Sequence, residues 1–371
     1  MIYVNEPLLN GNEKKYLCEC IETKWISSEG PFVKKLEEGL AAFTGRKYGI
    51  AVSNGSVALD IAMATLKLKP GSEVIMPAFT IISCASAILR AGCIPVLVDC
   101  HPDEWNMTPE GVKNALTKKT AAIMVVHIYG LPVDMVPILK IAKERNLKII
   151  EDAAEQLGQT YKNNHCGKMG NLSTLSFYPN KHITTGEGGM ILTDDPELAE
   201  RSKALRNLCF GKKRFVHEEL GWNGRMSNLQ AAVGVAQLEK IKDTLKRKRT
   251  IGSYYSEKLK TYQEFQIPID KTDFAENIYW VFGVVLKSVE TRDASWAIEK
   301  LKNRGVECRP FFLPMHQQPI FKKMGLFKKQ RFPNAEKIGK YGFYLPSGVA
   351  LTKDQQKKVV KELINIVLGR E

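Results

Sequence analysis

Between residues 48 and 194 the chain repeats one unit: a short run apolar on both faces, an amphipathic stretch, then another apolar run. The runs are YGIAVS, EVIMP, IPVLVDC, AAIMVVHIYG and LKIIED, followed by STLSFY and GMILTD. Helix-like segments over 56–68, 80–91, 109–117 and 134–146 separate the first five. A strand apolar on both faces has to be covered on both, and helical crossovers join parallel neighbours. The pattern therefore predicts an α/β fold with a large, mainly parallel sheet between helical layers. A chain of 371 residues has room for a second unit. Residues 227–260 read as one long helix capped by Ser227 or Asn228, and beyond it the pattern changes. YWVFGVVLK (279–287) and VECRPFF read as strands, 293–303 and 353–368 as helices. We expect a large domain over 13–245, a small α+β domain over 246–371, and residues 1–12 packing as an arm.

Composition removes several function classes. The formal charge is +14, from 54 basic and 40 acidic residues, with clusters such as KRKR (246–249) and KKMGLFKKQR (322–331). A nucleic-acid partner would use such charge, but a solvated basic surface also accounts for it, and positive potential also draws in small anions. We expect no nucleic-acid partner. Nothing before Asn5 resembles a signal peptide, and no apolar run reaches about 18 residues, so no membrane span is expected. The eight cysteines are scattered, with no CxxC pair and no His-x3-His spacing. They read as reduced thiols of a cytoplasmic protein, with no metal site.

Three local features carry chemistry. Asp152 ends the LKIIED run, where open α/β sheets place ligands, although a cap for the following AAEQLG would use the same residue. SNGSVAL (53–59) puts Gly55 and Ser56 at a strand-to-helix turn, whose free amides suit a phosphate. SFYPNKHITTGEGGM (176–190) sets one amine, Lys181, between an apolar strand and a glycine-rich turn. Its GEGG lacks the dinucleotide spacing and precedes a strand. A phosphate cradle, an aspartate and a lysine on strand ends are what pyridoxal phosphate needs. The lysine forms the Schiff base, and the aspartate keeps the pyridine nitrogen protonated. Ser176 stands ready for the same phosphate.

The segments VNEPLLNGNEKKYL, WISSEGPFVKKLE, AVSNGSVAL, MPAFT, HIYGLPVDM, IIEDAAEQLG, SFYPNKHITTGEGGM, RMSNLQAAVGVAQLE and RPFFLPMHQQPIF resemble, nearly end to end, the DegT/DnrJ/EryC1/StrS family of sugar aminotransferases. The resemblance implies the fold-type-I transferase fold of pyridoxal-phosphate enzymes and a homodimer with shared active sites. It implies amino transfer from L-glutamate, released as 2-oxoglutarate, to C4 of a nucleotide-linked 4-keto-6-deoxyhexose, for a surface glycan. Attack at C3, or a UDP- or dTDP-linked sugar, stays open. By resemblance Lys181 is the Schiff-base lysine, Asp152 the ring-nitrogen partner and Glu155 the group facing the ring hydroxyl. Gly55, Ser56 and Ser176 resemble phosphate ligands, and Asn228 a phosphate ligand from the neighbouring subunit. Trp25, Ser27, Ser28, Arg309 and His316 fall in segments that line the nucleotide-sugar cleft. Two positions depart from the family: Ile81 stands where relatives carry an aromatic that stacks on the cofactor, leaving Phe79 as a substitute, and Gly224 stands where they carry tyrosine.

Overall fold

In the computed structural model, residues 1–211, 213, 215–287 and 292–370 are described. In chain order the first strands are β1 (Tyr48–Val52), β2 (Glu73–Pro77), β3 (Ile94–Val98), β4 (Thr120–Val126) and β5 (Lys148–Asp152). A short hairpin of β6 (Thr160–Tyr161) and β7 (Asn164–His165) follows, then β8 (Leu172–Ser176) and β9 (Gly189–Thr193). Helices α1 (Glu13–Glu22) and α2 (Pro31–Thr44) precede β1. The crossovers hold α3 (Gly55–Thr65), α4 (Ile82–Arg90), α5 (Pro109–Asn114) and α6 (Met135–Arg145).

The large sheet has the order β1-β9-β8-β5-β4-β2-β3. Strands β5 and β8 pair in parallel, as do β4 with β5 and β2 with both β3 and β4. Strand β9 alone is antiparallel to its neighbours β1 and β8. Its link from β8, residues 177–188, contains no helix to carry the chain back across the sheet, so the chain reverses. Strands β1, β4, β5 and β8 therefore share one carboxyl edge. The doubly apolar runs are buried as their pattern requires: Ile150 sits in one core layer, and Ile123 and Ile149 in the layer on the opposite face.

Beyond β9 come α7 (Pro196–Arg206), α8 (Asn228–Glu239) and α9 (Ile241–Leu259). The single helix expected over 227–260 is broken at Lys240, where φ −103° and ψ 6° end one helix and start the next. No proline or glycine marks the break. It comes from packing, because α8 lies against α1 and α2 whereas α9 runs on to the helix Lys353–Leu368.

A second, antiparallel sheet has the order β10 (Phe265–Gln266), β11 (Phe282–Leu286), β13 (Gly342–Leu345), β12 (Arg309–Pro310). The strand expected over VECRPFF shrinks to Arg309–Pro310, because Phe311 turns into an aromatic cluster with Phe79, Trp105 and Tyr129. Ile251, Tyr255, Phe282, Phe343 and Leu363 form the core beside this sheet. Ile2 joins that core and bridges to Val306, and the Val4 carbonyl accepts from the Ser347 amide.

Candidate active site

The shared carboxyl edge gathers residues far apart in sequence. A cavity of about 590 Å³ opens there, lined by Gly55, Ser56, Asp152, Glu155, Ser176 and Lys181. Six of the residues singled out from sequence thus meet in one place.

Lys181 owes its position to a loop that closes on itself. The Phe177 amide donates to the Gly188 carbonyl, the Thr185 amide returns to the Phe177 carbonyl, and the Lys181 amide donates to Tyr178. Gly186 takes a φ of +78°, which a side chain would strain. The Lys181 side chain is 12% exposed, and its Nζ lies 3.8 Å from Glu155 Oε1. Burial lowers the pKa of the amine, while Glu155 and Asp152 pull it back up.

Asp152 is 3% exposed. It accepts from the Ala154 amide at 3.1 Å, Thr174 Oγ1 at 3.3 Å and Cys84 Sγ at 3.4 Å. No helix begins after it, so the helix-cap alternative falls away. Burial raises the carboxyl's pKa, and a protonated ring nitrogen is the counter-charge such a carboxylate lacks. Glu155 accepts from the Tyr129 amide at 2.8 Å, and burial raises its pKa too. The neighbouring Glu151 has a different task. It accepts from His127 Nε2 and from the amides of Gly167, Met169 and Gly170. His127 Nδ1 in turn accepts from Val133. His127, Glu151 and Cys166 lie close enough to bind a metal, but the histidine and carboxylate are already committed to these bonds.

At the other end of the cavity Asn54 caps α3 by accepting from the Val57 amide. The Gly55 and Ser56 amides, in the first turn, have no partner within the helix. A Cβ on Gly55 would lie 2.8 Å from the Ser176 Cβ, so only glycine lets the helix start meet that serine. Ser56 Oγ lies 2.7 Å from Ser83 Oγ. Pyridoxal phosphate fits this set. The helix start with Ser56, Ser83 and Ser176 would take its phosphate, Asp152 its ring nitrogen and Lys181 its aldehyde carbon. Sequence reasoning passed over Ser83, although SCAS at the head of α4 is the same small-polar signal that drew attention to Ser56.

The other singled-out residues have surroundings of their own. Asn228 is buried and fully used within its own chain: Oδ1 accepts from the Phe32 amide at 2.8 Å, and Nδ2 donates to the Trp25 carbonyl at 2.7 Å and to Cys20 Sγ. It ties the α1–α2 loop to α8 within its own chain. Asn228→Ala should therefore destabilise the protein by about 2–3 kcal/mol in denaturant unfolding. An unchanged unfolding midpoint would contradict this. Trp25, Ser27 and Ser28 lie on that loop and do not line their own chain's cavity. His316 bonds to Glu336 at 3.1 Å and packs edge-on against Phe332, in a separate lysine-rich pocket. It is held as a structural histidine outside the main cavity. Arg309 lines a smaller cavity that shares Tyr178, Asn180 and Tyr344 with the main one. Phe79 is wholly buried behind the site, so it cannot stack on a ligand, whereas Ile81 is 42% exposed on the cavity wall. Trp280, which lines the cavity from just before β11, had no local signal beyond its strand.

Comparison with known proteins gives the same direction. Residues 7–364 match the DegT/DnrJ/EryC1/StrS aminotransferase family. The chain is 38% identical to a GDP-perosamine synthase of Escherichia coli O157:H7, over 95% of each chain. It is 37% identical to a GDP-perosamine synthase of Caulobacter vibrioides, over 99% of this chain and 98% of that one. The crystal structure of an aminotransferase, TlmJ, from Streptoalloteichus hindustanus superposes with a TM-score of 0.91 at 27% identity, covering 100% of this chain and 99% of that one.

Proposed function

The chain belongs to the DegT/DnrJ/EryC1/StrS aminotransferase family, and from that premise we propose that it moves the amino group of L-glutamate to C4 of a GDP-linked 4-keto-6-deoxyhexose, forming GDP-perosamine or a close isomer for a surface glycan. The enzyme is a pyridoxal-phosphate-dependent aminotransferase. The observation that carries the substrate reading is the near full-length similarity to GDP-perosamine synthases. Supporting it is a cavity in which Lys181, Asp152 and a phosphate-ready helix start face one another.

Bound pyridoxal phosphate supplies an electron sink and a carrier for the amino group. The chain supplies the rest. Amides and hydroxyls at the start of α3 would hold its phosphate and so anchor one end. Asp152, held by three donors, would face the ring nitrogen and favour its charged form. Lys181 Nζ would carry protons to and from the substrate carbon, a task helped by an amine whose pKa burial has lowered. Glu155, beside that amine, would serve the ring hydroxyl, and Ile81 on the cavity wall would offer the ring apolar contact. Because 2-oxoglutarate leaves before the sugar binds, the kinetics are ping-pong.

The purified enzyme should be yellow and should bleach on addition of glutamate alone. Among GDP-, UDP- and dTDP-linked 4-keto-6-deoxy sugars, only the GDP-linked one should then be aminated at C4. Preference for a UDP- or dTDP-sugar, or amination at C3, would overturn the substrate assignment while leaving the reaction class intact. We also propose a homodimer, supported by exposed apolar side chains such as Val216 and Leu220, the latter 93% exposed. Light scattering should report twice 41.7 kDa. Among the described residues no helix is long and apolar enough to cross a membrane. The eight free cysteines support a cytoplasmic location.

A further inference from the structure

One contact in the cleft lies outside the set that would hold the cofactor. The Lys181 amine sits over the indole of Trp280, with Nζ 3.9 Å from the ring centroid. Trp280 belongs to the second unit, just ahead of β11, and is 3% exposed. Its ring is clamped. The indole N–H donates to the Asn180 carbonyl at 2.9 Å, next door to the lysine it covers. Its own carbonyl accepts from Lys248 Nζ at 2.7 Å, and that buried ammonium also donates to the Ser347 carbonyl at 2.8 Å. Tyr129 packs beside the ring at 5.7 Å. Three separate elements thus hold one aromatic face against one amine.

In every turnover Lys181 has to release the cofactor and work as a free amine. A buried ammonium without a partner is costly. Its nearest carboxylates are Glu155 and Asp152, and each has a place on the cofactor. The other titratable groups around the amine are Cys84 of α4, Tyr178, Tyr344 and Glu187 on the cavity wall, His127 just past β4, and His182, with Lys248 and Arg249 of α9 behind it. The one carboxylate among these, Glu187, is exposed on the glycine-rich turn, whereas the indole is buried against the amine. The indole face, negative at its centre, is the partner left to the amine. We propose that Trp280 is a catalytic residue: its indole receives the freed amine of Lys181, stabilises it as ammonium and keeps it aimed into the cleft between proton transfers. Lys248, which fixes Trp280 through its carbonyl, is the positioning residue behind it.

The proposal rests on Lys181 being the reacting amine, and the test separates the two. The full-length enzyme, loaded with pyridoxamine phosphate so that Glu155 and Asp152 are engaged and Lys181 is free, is labelled with trinitrobenzenesulfonate across a pH series, and the peptide carrying Lys181 is quantified by mass spectrometry. Loss of the aromatic face favours the neutral, reactive amine. Trp280→Leu should move the labelling midpoint down by about one pH unit, which is about tenfold more label at a pH below it. Trp280→Met should do the same if the leucine variant folds poorly. Trp280→Phe keeps a face and should stay near wild type. Lys248→Met should shift the midpoint in the leucine direction, by less. In the cofactor-loaded enzyme, Trp280→Leu should slow the single-turnover reaction with glutamate about tenfold, and Trp280→Phe should recover most of that rate. An unmoved midpoint in both Trp280→Leu and Trp280→Met, or a Trp280→Phe enzyme that behaves like leucine, would overturn the role of Trp280. A Lys181→Ala enzyme that still turned over would remove the premise instead.

Discussion

Replacing Lys181 with alanine should leave a folded protein that takes up pyridoxal phosphate but transaminates at least about a thousandfold more slowly. Folding should survive because the turn that carries Lys181 is built from backbone bonds among Phe177, Thr185 and Gly188, none of which uses the lysine side chain. Cofactor should still bind, since the start of α3, Ser176 and Asp152 are untouched. The loss falls on proton transfer, because Lys181 is the one amine among the described residues that line the cavity. Stopped-flow absorbance with glutamate, then separately with the keto sugar, would show both half-reactions stalled. A small exogenous amine should restore part of the rate. Turnover near wild type with no added amine would remove Lys181 from the mechanism.

Asp152→Asn should slow the glutamate half-reaction about a hundredfold or more, with much less effect on cofactor retention. An asparagine fills the same space and its carbonyl still accepts from the Ala154 amide, so the end of β5 should keep its shape. What disappears is the charge. A neutral amide cannot hold a proton on a ring nitrogen, so the ring becomes a poor sink for the electrons released when the α-proton leaves. The defect should appear in single-turnover rates and in the solvent exchange of the glutamate α-hydrogen. It should not appear in the unfolding midpoint. Unchanged rates in both half-reactions would mean that Asp152 only closes the turn after β5.

Much of this protein is legible in its sequence, for a local reason. Whether a strand is covered on both faces is written in consecutive residues, so LKIIED and AAIMVV announced a buried parallel sheet. A parallel sheet has one carboxyl edge, and that topological rule brought Gly55, Asp152 and Ser176 to one cavity without knowledge of any contact. Lys181 was legible because glycines and threonines around it could only be a turn.

Other features were decided by packing between residues remote in sequence. Asn228 follows a capping serine and has the polarity of a ligand, yet its partners within the chain are Phe32, Trp25 and Cys20, on and beside the α1–α2 loop about two hundred residues earlier. His316 has the look of a substrate contact, but Glu336 and Phe332 claim it. The break at Lys240 carries no glycine or proline, because it arises where two helices serve different cores. Trp280 reads as one more aromatic in a strand until the second unit folds back and lays its indole on the Lys181 amine. Periodicity and turn chemistry act through neighbours along the backbone, so one sequence reveals them. The partner a side chain finds across the interior depends on where every other element has settled, and only the tertiary structure holds that.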